Sequence, residues 1–178
     1  MAYRKKRISM TAVIAFILTA FMVYQLAALL RDDHQANADP RRLLYQVALF
    51  QMEVLNGYLS ETGTIATTRQ LDVLRQAAYA ADYTHERLVL AVGEKHLTEL
   101  KSIGELLEYI LRLQIGGDRP LNKKETETLQ NASGIFSQMF EVYGALFSSG
   151  GGIYSSQNEK LKLLDTALYE ALRPSRIE

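Results

Sequence analysis

Beyond residue 39, apolar positions recur in steps of three and four along nearly the whole chain, and that spacing predicts one helix after another. The first begins at Asp39-Pro40, an acid at the N-cap position followed by proline at the first helical position. Its predicted core row is Leu43, Val47, Phe50 and Val54, extended by Tyr58 and Leu59, and Gly63 ends it. A second helix opens on the capping box Thr67-x-x-Gln70 and carries the row Leu71, Leu74, Ala78, Ala81, His85, Leu88 and Val92. A further run follows Gly93: Leu97, Leu100, Gly104, Leu107 and Leu111, flanked by Ile103, Leu106 and Ile110. One glycine costs a helix only about 1 kcal/mol. The pattern leaves no room for an ordinary loop, so a continuous helix bent at Gly93 is expected.

Gly116-Gly117-Asp118-Arg119-Pro120 is a clear break, followed by a second capping box, Asn122-x-x-Glu125. The helix after it shows Leu129, Ala132, Phe136, Met139, Tyr143 and Leu146, widened by Phe140 and Phe147. The run from Ser148 to Gly152 reads as a flexible joint. The last helix starts near Ser156-x-x-Glu159, shows Leu161, Leu164, Leu168 and Ala171, and stops before Pro174. No stretch alternates with the period of a strand. The expected fold is all-α, an antiparallel bundle of about four helical segments over residues 40–173, with a short tail at 174–178.

The N-terminal part has a different texture. Ile8 to Leu30 is an uncharged run of 23 residues, roughly 35 Å long as a helix and so sufficient for a hydrocarbon core of about 30 Å. Arg4, Lys5, Lys6 and Arg7 precede it, and Asp32 and Asp33 follow it closely. By the positive-inside rule those four cations are a topology signal. They place a tail at 1–7 in the cytoplasm, a transmembrane helix at 8–30, a juxtamembrane linker at 31–39 and the bundle on the extracytoplasmic side. The expected location is therefore the cell membrane, single-pass. The competing reading is a secreted protein whose residues 1–38 are a cleaved signal peptide, supported by the small-x-small triplet Ala36-Asn37-Ala38. The apolar run is longer than signal peptides use, and the anchor is preferred.

Charge sharpens this division. The chain is neutral overall, but residues 1–30 carry +4, leaving sixteen basic against twenty acidic residues in the remainder. A mildly acidic exterior argues against nucleic acid as a partner. The absence of cysteine excludes disulfides, thiolate metal sites and a cysteine nucleophile. No phosphate loop, HExxH, Gly-x-Ser-x-Gly, EF-hand or dinucleotide fingerprint occurs. No enzymatic activity and no cofactor are expected.

His85 falls on a predicted core row, with Asp82 three residues before it. Paired Glu-x-x-His motifs build di-iron sites in helical bundles. Here there is one variant copy, and His96-x-x-Glu99 runs in the reverse order. Asp82 and His85 are accordingly a candidate ligand or switch site, weighed against the plainer reading of a satisfied core histidine. Gly57 and Gly104 fall on predicted seams, where they either let neighbouring helices approach closely, the preferred reading, or leave a pocket for a ligand. Tyr79 and Tyr83 would stack beside the seam of the second helix, as ordinary boundary residues or as a partner surface.

Anchor plus bundle resembles, in plan alone, the exterior helical domains of bacterial sensors and chemoreceptors; no motif carries the likeness and no family is assigned. The functional expectation is a membrane-anchored bundle acting by non-enzymatic protein–protein interaction, either with an envelope or extracytoplasmic protein or as a homo-oligomer. The alternative is a sensor-like bundle binding a small molecule or ion.

Overall fold

The computed structural model describes residues 40–148 and 152–173. The expected tail, anchor, linker and C-terminal tail (1–7, 8–30, 31–39 and 174–178), the Asp39 cap and the topology cations Arg4, Lys5, Lys6 and Arg7 lie outside them. Among the described residues no helix is long and apolar enough to cross a membrane.

Those residues form α1 (Pro40–Ser60), α2 (Asp72–Val92), α3 (Lys101–Ile115), α4 (Lys123–Gly144) and α5 (Ser155–Leu172), with short 3-10 turns at Thr62–Thr64 and Thr68–Leu71. No strand occurs among them beyond two isolated bridges, Thr67 with Pro120 and Phe147 with Ile153. The all-α expectation holds. The helices pack in a closed ring, α2 on α1, α1 on α4, α4 on α5, α5 on α3 and α3 back on α2. Tyr45 bonds Tyr143 near one end of α1 while Asn56 bonds Ser137 toward the other, so α1 and α4 run antiparallel. Arg75 with Gln114 and His85 with Thr98 set α2 and α3 antiparallel in the same way.

The described residues form five helices where about four segments were expected, because Gly93 ends α2 instead of bending it. Its φ of 100° is a backbone conformation that side-chain-bearing residues avoid. Its N–H donates to the Val89 carbonyl at 2.7 Å, closing the helix. The chain turns through residues 93–100, and Leu97 and Leu100 are buried from within that turn. They keep helical spacing with Ile103 and Leu106, so the periodicity continues across a stop in the backbone.

The local signals at other boundaries are present as expected. Gln70 Oε1 accepts from the Thr67 and Ala66 N–H groups, opening the turn that leads into α2. Asn122 Oδ1 accepts from Glu125 N–H, and Glu125 Oε2 accepts from Asn122 N–H. Arg119 then clamps the Glu125 carboxylate with two nitrogens at 2.9 and 2.7 Å, joining the loop to the helix it precedes. The ends of the expected joint after α4 are tied: Ser148 N–H donates to the Gly152 carbonyl, and Gly152 N–H to Ser148 Oγ.

The core rows of α2 and α4 are those the spacing predicts, with Leu74, Ala78, Ala81, His85 and Leu88 buried on α2. On α4 they are Leu129, Ala132, Phe136, Met139 and Tyr143. On α3 the buried row is the flanking one, Ile103, Leu106 and Ile110, while Leu111 is exposed. The clearest correction concerns α1. Its buried residues are Tyr45, Ala48, Met52, Leu55 and Leu59. Leu43, Val47, Phe50 and Tyr58 of the predicted row face solvent. The helix is apolar on two sides, and hydrophobic spacing alone does not say which side a neighbour covers.

Candidate functional site

Three features outside ordinary core packing stand out: a buried polar chain through His85, an acidic cleft beside Asp82, and the uncovered apolar row of α1.

His85 lies on the inner face of α2 and is 2% exposed. Its Nε2 is 2.9 Å from the Thr98 carbonyl, which can only accept, so Nε2 carries the hydrogen. Nδ1 is then the acceptor for the Tyr143 hydroxyl of α4, at 3.0 Å. The Tyr45 hydroxyl of α1 donates in turn to the carbonyls of Tyr143 and Gly144, at 2.8 and 3.0 Å. Thr98 N–H donates to Asn158 Oδ1 of α5 at 3.0 Å. One polar chain thus ties α1, α4 and α2 to the turn before α3, and that turn to α5. The rings reinforce it: Tyr45 stacks on Tyr143 at 5.9 Å and on Phe147 at 4.5 Å between centroids.

Burial disfavours the charged imidazole and pulls the His85 pKa from 6.5 down to about 4. Burial also raises the Tyr143 hydroxyl, aided by Tyr45. Both ring nitrogens of His85 are engaged, so neither is free to ligate. These contacts are those of a satisfied core histidine.

Asp82 and His85 both line an open cleft of about 570 Å³ between α2 and α3. Glu86, Glu94, Glu99, Glu105 and Glu108 bring further carboxylates to it, against Lys101. The floor includes Val89, Leu100 and Gly104, and α5 contributes Tyr169. Burial, with the neighbouring Glu86 charge, raises the Asp82 pKa from 3.8 to about 6. Arg112 partly neutralises the far wall by pairing with Glu105 at 2.8 Å and Glu108 at 3.5 Å. Gly104 does not mark close helix approach, since a Cβ built there, or at the exposed Gly57, meets nothing within 4 Å. Among the described residues no group of three His, Asp or Glu side chains is arranged to hold a metal ion.

On the other side of the bundle, Leu43 (52% exposed), Val47 (49%), Phe50 (58%) and Tyr58 (37%) form a row along the outer face of α1, with Val54 half-buried among them. Tyr79 and Tyr83 are stacked on the outside of α2 at 6.4 Å, with the Arg87 guanidinium 4.8 Å above the Tyr83 ring. Intramolecular cation–π contact engages one face of Tyr83.

A residue the sequence reading missed is Asp165. It lies on α5, is 8% exposed, and its Oδ1 accepts the Ser102 N–H at 2.9 Å. Leu100 at the N-cap of α3 has no side-chain acceptor, and Asp165 supplies one from another helix. Nothing local in either segment announces the pairing. No protein-family model matches the chain, and neither the curated proteins nor the solved structures yield a match.

Proposed function

We propose that residues 40–173 are a non-enzymatic protein-interaction module, held on the extracytoplasmic side of a membrane by the apolar segment at 8–30. The observation that carries this reading is the uncovered row Leu43, Val47, Phe50 and Tyr58 on α1. Isolated exposed apolar residues are ordinary, but a contiguous row along one helix marks a surface that another protein covers. The row is helical, rigidly seated by the opposite face of α1, and suited to pairing with another helix. The basic tail and the long uncharged run support the location.

The test is photo-crosslinking in cells, with a photoreactive residue placed in turn at Val47, at Phe50 and at Leu163 of α5. Discrete protein adducts from α1 and none from α5 are expected. Adducts of equal yield from both helices would refute the reading. So would turnover of a substrate by the purified chain that a single acid or histidine substitution abolishes.

A second reading rests on the acidic cleft, whose unpaired Asp82 carboxylate and apolar floor suit a small organic cation. Diamines and divalent cations screened by thermal shift should raise the melting temperature of the wild type and not of Asp82→Asn. No shift across the panel removes this alternative.

A further inference from the structure

We infer that the occupant of the α1 row is a second copy of the same chain, with the two α1 helices packed antiparallel about a twofold axis near Phe50. The inference rests on the interaction reading above and adds the partner and its orientation.

The row is compatible with its own reverse. Leu43, Val47, Phe50 and Val54 alternate steps of four and three, the spacing of a two-helix seam. Reversing the helix about a point between residues 50 and 51 sets Leu43 opposite Tyr58 and Val47 opposite Val54, with Phe50 beside its own counterpart. Each exposed apolar side chain of the row then meets an apolar partner, and the largest ring sits at the centre, where interfaces concentrate aromatic residues.

Charge selects the orientation. Arg41 and Arg42 lie at the first turn of α1, Glu61 lies just past its end, and between them the only charge on the helix is Glu53. The first turn holds no acid and the last turn no base. This is the reverse of what the helix dipole favours, with cations at the positive end and an anion past the negative end. A second α1 running antiparallel brings each basic end beside the other's acidic end and opposes the two dipoles. A parallel pair would set Arg42 against Arg42 and Glu61 against Glu61. A closed isologous pair also uses the same patch on both subunits and leaves no open edge.

From Leu43 to Tyr58 the row is roughly 22 Å long. That is a contact at the small end for specific interfaces, and it implies a weak dimer that forms at high local concentration, as tethering to one membrane provides.

The chain has no cysteine, so disulfide trapping in the full-length protein reads the geometry directly. Single-cysteine variants Phe50→Cys, Leu43→Cys, Tyr58→Cys and Leu163→Cys are oxidised mildly, alone and in mixtures. The expected result is a covalent dimer from Phe50→Cys alone and from Leu43→Cys mixed with Tyr58→Cys. Leu43→Cys, Tyr58→Cys and Leu163→Cys by themselves stay monomeric. Self-dimers of Leu43→Cys and of Tyr58→Cys that outpace the mixed pair would overturn the antiparallel arrangement. No dimer from any α1 position overturns self-association. A discrete adduct to a different protein from a photoreactive residue at Val47 would, in that case, leave the interaction reading standing and refute only the second copy.

Discussion

Acidification reads the buried polar chain most directly. His85 is neutral in the folded protein down to about pH 4, whereas the same side chain in an unfolded chain takes up its proton near 6.5. Between those values the unfolded state binds a proton that the native state refuses, so falling pH favours unfolding. The contribution of neutral His85 is present in full above about pH 6.5, is lost progressively below it, and is gone below about pH 4. A displacement of that size corresponds to about 3 kcal/mol in total, and about 2 kcal/mol of it is lost by pH 5. Asp82 works in the opposite sense. Its pKa is raised to about 6, so the folded state takes up its proton first and gains stability as pH falls through 6. That carboxylate is only half-buried, and solvent screening reduces its effect to under about 1 kcal/mol. The two therefore offset in part, and a wild-type pH profile alone would understate His85. The informative quantity is the difference between wild type and His85→Gln in urea unfolding of the full-length chain in neutral detergent, followed by tyrosine near-UV circular dichroism. The variant should be less stable at pH 7, and the gap should narrow by about 2 kcal/mol at pH 5. In an Asp82→Asn background the acid loss should steepen, while the His85 difference stays the same. A wild-type-minus-variant difference that does not change between pH 7 and 5, at equal denaturant slopes, would refute the account: His85 would then be reaching solvent.

Other parts of the structure make separate demands. Tyr143→Phe leaves His85 Nδ1 buried without its donor and should cost about 1–3 kcal/mol in the same unfolding assay. Asp165→Ala removes the acceptor for Ser102 N–H and should cost about 1 kcal/mol, with faster hydrogen exchange confined to the first turn of α3. Two substitutions on α1 distinguish its faces: Met52→Ala should lose about 2–5 kcal/mol, while Val47→Ser should change the stability of a single subunit by less than about 0.5 kcal/mol. Equal losses at both would return the core to the row the spacing suggested. Gly93→Ala should destabilise by about 1–2 kcal/mol, because alanine resists a φ of 100°; an unchanged midpoint would mean the turn relaxes readily.

Much of this protein is written in local chemistry. Helix-period spacing, the boxes at Thr67–Gln70 and Asn122–Glu125, and the break at Gly116–Pro120 are short-range signals acting over a few residues, and they specify an all-α bundle. The core rows of α2 and α4 are equally legible, because each helix is apolar on one dominant side. Where two solutions are locally equal, only the tertiary structure decides. α1 has apolar residues on two faces, and the choice falls to whichever face α2 and α4 cover; the other is left as a surface. Gly93 sits in a spacing that suits a helix or a buried turn, since Leu97 and Leu100 bury their side chains in either, and packing against the rest of the ring selects the turn. The partners of His85, and the capping of α3 by Asp165, join residues 13 to 63 positions apart. Contacts at that range leave no local trace in a sequence, because what satisfies a buried polar atom is the atom brought beside it in space.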